Sequence, residues 1–411
     1  MKATLLRRWP RTGRRTALLI LCVSALVVAG LAAPLPLAAD GGAPNLAYVA
    51  GGGTNGGDLV VIDIGKRRVT GHVTLGGAPQ GVILSPDGRF AYVAQSAANH
   101  VAVVDTHSQH VAAMLPAGPG PSALVFSYAG STPILYVADS GGNTVTKLDL
   151  DARRTVATFP VGKRPTGLAL AGPDSGVRDP NDAELYVANA DSQTVSVIGV
   201  AEGKVVATIP VPGGPVGVVV PPTGGVAYVS TAAGTIVALG LADHRVLGTV
   251  LQVPGAVFGT MDYDAVTGQI YVPDATSGAV EVLRPVAVVG GGGNGGAAAP
   301  PVFPNEPARR LQLGGGPSAV AITFDGSYGF VAERSAGCVA MLDVGSRQLL
   351  ATIDVGGSPQ AVITGPYPPA VSGPTAFLID LAVILFIVVL LGLTLIGSRR
   401  RSAKKQEGTR A

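Results

Sequence analysis

Apolar positions in the middle of this chain come in short runs broken by turn residues, never at helical spacing. Phe90-Ala91-Tyr92-Val93-Ala94 is followed by a polar stretch from Gln95 to His100 and then by Val101-Ala102-Val103-Val104-Asp105. Thr106 to His110 turns the chain, and Val111 to Leu115 is a fourth, shorter run. Upstream, Gly77-Ala78-Pro79-Gln80-Gly81 leads into Val82-Ile83-Leu84, and Ser85-Pro86-Asp87-Gly88 separates that run from the next. β-Branched and aromatic runs are strand composition. Pro-Asp-Gly is turn chemistry, because Pro presets φ and Gly accepts a positive one. No window carries apolar residues at i, i+3, i+4 without a Gly or Pro inside it, so helices are excluded here. The unit is four short strands.

The unit recurs. Tyr48-Val49-Ala50 returns as Tyr92-Val93-Ala94, Tyr136-Val137-Ala138 and Tyr186-Val187-Ala188, then as Tyr228-Val229-Ser230, Tyr271-Val272-Pro273 and Phe330-Val331-Ala332. The steps are 44, 44, 50, 42, 43 and 59 residues. Four strands per repeat at a period in the low forties is the layout of a propeller blade, whereas β-solenoid repeats are shorter. The third-strand run recurs from Val60-Val61-Ile62-Asp63 to Val339–Asp343. The Gly/Pro lead-in precedes Val82, Leu124, Leu168, Val218, Val320 and Val362, with a degenerate copy at Pro254-Gly255-Ala256-Val257; both features count to seven. The first repeat begins at Asn45 with a second strand, and the last overruns with Gly357 to Thr364, a first strand with nothing after it. Joined, the two ends complete one blade and leave no open sheet edge. The expected fold is all-β, a seven-bladed β-propeller closed by pairing N- and C-terminal strands.

The Tyr-Val-Ala strand, the Ser-Pro-Asp-Gly turn, the Val-x-Val-Ile/Val-Asp strand and the Val205–Val211 strand resemble the YVTN-family β-propeller repeats over about Asn45 to Pro366. That family occurs in bacterial and archaeal surface-layer and exported proteins. The resemblance implies the fold and an exported setting. It implies no activity, since the family shares no catalytic motif.

Outside the repeats the pattern changes. Residues 1–39 read as a signal peptide or signal anchor: Lys2, Arg7, Arg8, Arg11, Arg14 and Arg15 precede the uncharged apolar run Ala17 to Ala33. Residues 40–366 are the propeller, interrupted by a Gly-rich insertion, 289–309, that reads as a flexible excursion. The insertion lacks the Lys-Ser/Thr and following helix of a phosphate loop. A second insertion, Gly172 to Asp182, reads as a loop between the first and second strands of one blade. Residues 367–375 form a Pro-rich stalk, and 376–397 a transmembrane helix about 33 Å long at 1.5 Å per residue. The basic tail 398–411 then lies in the cytoplasm by the positive-inside rule, with the propeller extracytoplasmic at the cell membrane.

That topology changes the meaning of the charge. The chain has 58 Gly, 32 Pro, 13% charged residues and a formal +3. The head carries six positive charges and the tail a net five, so the region between carries −8. An acidic exposed domain argues against nucleic acid as a partner. Expected partners are the membrane, through the C-terminal helix, and a surface protein, glycan or cell-wall component. Of the two cysteines, Cys22 lies in the signal and Cys338 reads as a small buried hydrophobe.

Catalytic chemistry is sparse. His107 and His110 have H-x-x-H spacing but flank a turn without further ligands, and zinc needs three or four. No Gly-x-Ser-x-Gly elbow is present. No cofactor is assigned. The better candidates come from topology. The loop after each second strand and the loop leading into each first strand share a propeller face. The residues after each Tyr-Val-Ala are Gly51, Gln95, Asp139, Asn189, Thr231, Asp274 and Glu333. The expected ligand ring at the channel mouth is Gln95, Asp139, Asn189, Asp274 and Glu333 with Lys163 and Arg164 from one lead-in, its carboxylates facing a cation or basic peptide. The competing reading is that these residues cap tight loops. Asp63, Asp105, Asp149 and Asp343 start turns at strand ends and read as structural. The functional expectation is a binding or scaffold module without catalysis. The alternative is an exported propeller enzyme, a lactonase-like hydrolase or cofactor-dependent dehydrogenase.

Overall fold

Seven four-stranded antiparallel sheets form from these repeats, one per blade. The computed structural model describes residues 45–54, 57–129, 131–172, 183–222, 224–284 and 309–365. These fall within one compact unit, Gly41–Val371. The expected signal, stalk, transmembrane helix and tail, residues 289–308 of the Gly-rich insertion and residues 173–182 of the second insertion lie outside the described residues.

Blade 1 closes the ring. Its first strand is the chain's last, Ala361–Thr364, which pairs antiparallel with Leu46–Gly52 in the register Val362↔Val49. Asp58–Asp63 and Arg68–Thr74 complete it. Blades 2 to 7 each follow in chain order, with first strands Pro79–Leu84, Pro121–Ala129, Pro165–Ala171, Pro215–Val219, Asp262–Asp264 and Pro317–Ile322. The degenerate lead-in of blade 6 has a visible consequence. Its first strand is only three residues long, and Phe258 and Thr260 reach their neighbours through isolated bridges to Asp274 and Ala319. Among the described residues, no helix is long and apolar enough to cross a membrane.

The core explains why the runs are continuous rather than alternating. It is seven hydrophobic clusters, each between two neighbouring blades. Tyr48 and Ala50 pack toward blade 2, while Ala47 and Val49 pack toward blade 7. With both faces buried, the middle strands have no polar side to show. The repeated tyrosines 48, 136, 186, 228 and 271 are fully buried. The outer strand of each blade is the exception and is largely exposed, as in Arg68–Thr74.

Local turn chemistry matches the residues. In Ser85-Pro86-Asp87-Gly88 the Gly88 amide donates to Ser85 O at 2.8 Å, and Gly88 takes φ 70°. Asp63, Asp105, Asp149 and Asp343 accept amides of Lys66, Ser108, Ala152 and Ser346 at 2.6–2.8 Å. Those turns and the first-to-second-strand turns share one end of the ring, which also holds both described chain ends, Asn45 and Gly365; their amide bonds to Ile64 and Leu46 fix this.

Candidate functional site

The first strands of all seven blades line a central channel of about 630 Å³. Each full first strand enters at a proline, and a bulge follows it in blades 2, 3, 4, 5 and 7. Proline removes an amide donor there, so the ladder opens and the next residue swings toward the adjacent blade. Three of those residues staple the ring: Ser122 Oγ donates to Pro165 O at 3.0 Å, Thr166 Oγ1 to Val216 O at 3.0 Å, and Ser318 Oγ to Pro359 O at 3.4 Å. The inner strands run so close that a Cβ on Gly167 would sit 2.5 Å from Val216 O.

The residues expected at the mouth are placed at the ends of the second strands, on one end of the ring. Their side chains, however, turn into their own blades. Asp139 is fully buried; it accepts the Gly118 amide at 3.0 Å and the Thr144 and Thr146 hydroxyls at 3.1 and 2.6 Å. Desolvation raises its pKa against those bonds. Asn189 donates to Thr194 and Ser196, and Thr231 bonds Thr235. Asp274 accepts the Thr276 amide and the Ser277 hydroxyl, with Arg310 3.6 Å away. Glu333 accepts the Cys338 thiol at 2.9 Å, and burial pushes that thiol up to about 12. Gln95 is buried beneath Gly77, its Nε2 without a partner among the described residues. Of the predicted set, only Arg164 lines the channel. Lys163 is exposed beside it, and the Arg164 Nε donates to Asp191 at 2.6 Å. His107, in a turn at the opposite end, and His110, which opens the strand after it, stand apart from the mouth, and no group of three metal-ligating side chains occurs among the described residues.

Three features were missed. Arg334 follows Glu333 and lines the same mouth, where the equivalent residues are Gly52, Ser96, Ser140, Ala190, Ala232 and Ala275. Its guanidinium has no hydrogen-bond or ion-pair partner among the described residues, and desolvation lowers its pKa. Asp262 lines the channel at a position pairing with Tyr271; the residues paired with the equivalent tyrosines include Ile83, Val125, Ala169 and Val219. Its carboxylate accepts the Ile322 amide of blade 7 at 2.7 Å and the Tyr263 amide at 2.8 Å, and burial pushes its pKa up to about 6. Both residues are odd members of otherwise uncharged columns, a signal that aligning the repeats would expose. The third feature is His244, in a positive-φ turn position of blade 5, whose Nε2 lies 2.9 Å from Glu184 of blade 4. Tyr186 Oη donates to the same carboxylate at 2.8 Å. This buried trio ties two blades together away from the channel.

No family model and no curated protein matches the chain. Solved structures do. Hydrazine synthase of Kuenenia stuttgartiensis aligns with TM-score 0.56 and 19% identity over 71% of this chain and 90% of that one. A functionally unknown protein from Desulfotomaculum acetoxidans DSM 771 aligns with TM-score 0.60 and 13% identity over 79% and 100%. Dihydro-heme d1 dehydrogenase NirN in complex with DHE aligns with TM-score 0.52 and 17% identity over 80% and 78%. The chain shares the propeller fold. At these identities the likeness carries the fold alone.

Proposed function

We propose that the chain is a membrane-anchored, extracytoplasmic propeller that binds its ligand in the central channel, entering at the mouth formed by Arg164 and Arg334. The observation that carries this reading is an open channel with polar and cationic side chains gathered at one mouth, at the opposite end of the ring from Asn45 and Gly365. Ligand seats of this kind combine a concave, mostly apolar wall with a few orienting polar groups. The YVTN-like repeats, the basic head with its apolar run, and the apolar segment 376–397 before a basic tail support an exported, single-pass setting with a surface protein, glycan or cell-wall component as partner.

The test has two parts. Protease added to intact cells should remove the propeller and leave an epitope on residues 398–411 protected; a protected propeller contradicts the address. Thermal unfolding of the full chain in mild detergent, across metals, sugars, cofactors and oxyanions, should show a rise in midpoint with a ligand. Ala232→Trp, which fills the mouth, should abolish that rise. A ligand whose shift survives Ala232→Trp binds elsewhere and overturns the channel seat.

A further inference from the structure

We infer that the channel mouth is an oxyanion site, taking a carboxylate or phosphate group on Arg334 with support from Arg164. The inference rests on the reading that the channel is the ligand seat, and it assigns that ligand its charge. The expected mouth was anionic; the geometry makes it cationic. The carboxylates of Asp139, Asp274 and Glu333 face into their own blades and hydrogen-bond there. Among charged side chains, the channel wall holds Arg164, Arg334 and, along the strand from the mouth, Asp262.

The two arginines differ in how far they are satisfied. Arg164 is held by Asp191 through Nε, and its backbone amide by Asn143 Oδ1 at 2.9 Å, so it is positioned but partly neutralised. Arg334 has neither, and it is exposed at the mouth. A guanidinium without a partner in the chain keeps its donors for a ligand, and its planar fork matches a carboxylate or phosphate bidentately. Blades 7 and 4, which carry the two arginines, stand well apart on the ring, and the small residues Ala190, Ala232 and Ala275 between them leave the entrance open. Gln80 and Gln360 also line the wall, the Gln360 amide already donating to Ser358. Asp262, further along, repels a second anionic group when ionised. An elongated ligand is therefore held with its anionic end at the mouth.

Isothermal titration of the full chain in detergent with sodium phosphate and with citrate tests this, with glucose and calcium chloride as comparison probes. The expected result is binding of at least one oxyanion that weakens with added salt. Arg334→Gln should weaken it at least tenfold and Arg334→Lys less, while Arg164→Gln has the smaller effect because Asp191 already holds that side chain. Equal oxyanion affinity in wild type and Arg334→Gln overturns the inference, as does no binding of either oxyanion. Binding of glucose or calcium that Ala232→Trp abolishes, without oxyanion binding, would keep the channel seat and remove its anionic assignment.

Discussion

Replacing Asp139 distinguishes a capping carboxylate from a ligand-binding one. The side chain is fully buried and accepts three hydrogen bonds, from the Gly118 amide and the Thr144 and Thr146 hydroxyls. Asp139→Ala leaves the Gly118 amide and the buried Thr146 hydroxyl without an acceptor. Hydrogen bonds to a charged group contribute about 1.5–3 kcal/mol each, and each orphaned donor costs about 1–3 kcal/mol. Against this stands the desolvation that raises the carboxyl pKa, so the net loss is roughly 3 kcal/mol. With about 2.1 cal/mol/K of unfolding entropy per residue over roughly 300 residues, that lowers the midpoint by about 5 °C. Asp139→Asn should cost less than about 1 kcal/mol, or under 2 °C, by the same scale. The chain itself supplies the reason: Asn189 fills the equivalent place, its amide 3.2 and 3.0 Å from the Thr194 and Ser196 hydroxyls. Calorimetry of the two variants decides. An Asn variant that falls as far as the Ala variant, or an Ala variant that does not fall, refutes the capping argument.

Three further outcomes follow from the packing and titration of the ring. Gly167→Ala places a Cβ 2.5 Å from Val216 O, a backbone atom that cannot rotate away, so it should lower stability by about 1–3 kcal/mol in denaturant titration; an unchanged midpoint would show that the inner strands tolerate separation. Asp262 has a folded pKa of about 6, above the usual carboxylate value, so its contribution is fully present below about pH 4 and is lost as pH rises through 6. The midpoint of wild type minus that of Asp262→Ala should therefore fall between pH 4 and 7, and a constant difference would contradict the buried carboxyl. Cys338, 7% exposed with its thiol pushed up to about 12, should resist maleimide at pH 8 in the folded chain and react after denaturation, read by mass spectrometry of its peptide.

The blade count and the closure were legible because they depend on backbone geometry, which short residue types dictate. Tyr-Val-Ala can only be a doubly buried strand at this period, and the leftover first strand at Gly357–Thr364 had one place to pair. The site was legible in position but not in direction. Sequence order puts Asp139 and Glu333 at the mouth end, yet whether a side chain turns into the loop or into the channel depends on hydroxyls five and seven residues on, such as Thr144 and Thr146. The pair Glu184–His244 is 60 residues apart and meets only because blades 4 and 5 pack together. Arg334 and Asp262 were hidden for another reason: a single charge in a repeat column has no motif, and it stands out only when the columns are laid side by side.

The measurement closest to the central claim is the unfolding midpoint of wild type, Asp139→Asn and Arg334→Gln, each with and without citrate. Arg334 lies at the open mouth and Asp139 inside a blade. The account predicts that Asp139→Asn keeps the citrate-induced rise, while Arg334→Gln keeps the ligand-free midpoint and loses the rise. A rise that persists in Arg334→Gln, or that disappears in Asp139→Asn, would contradict it.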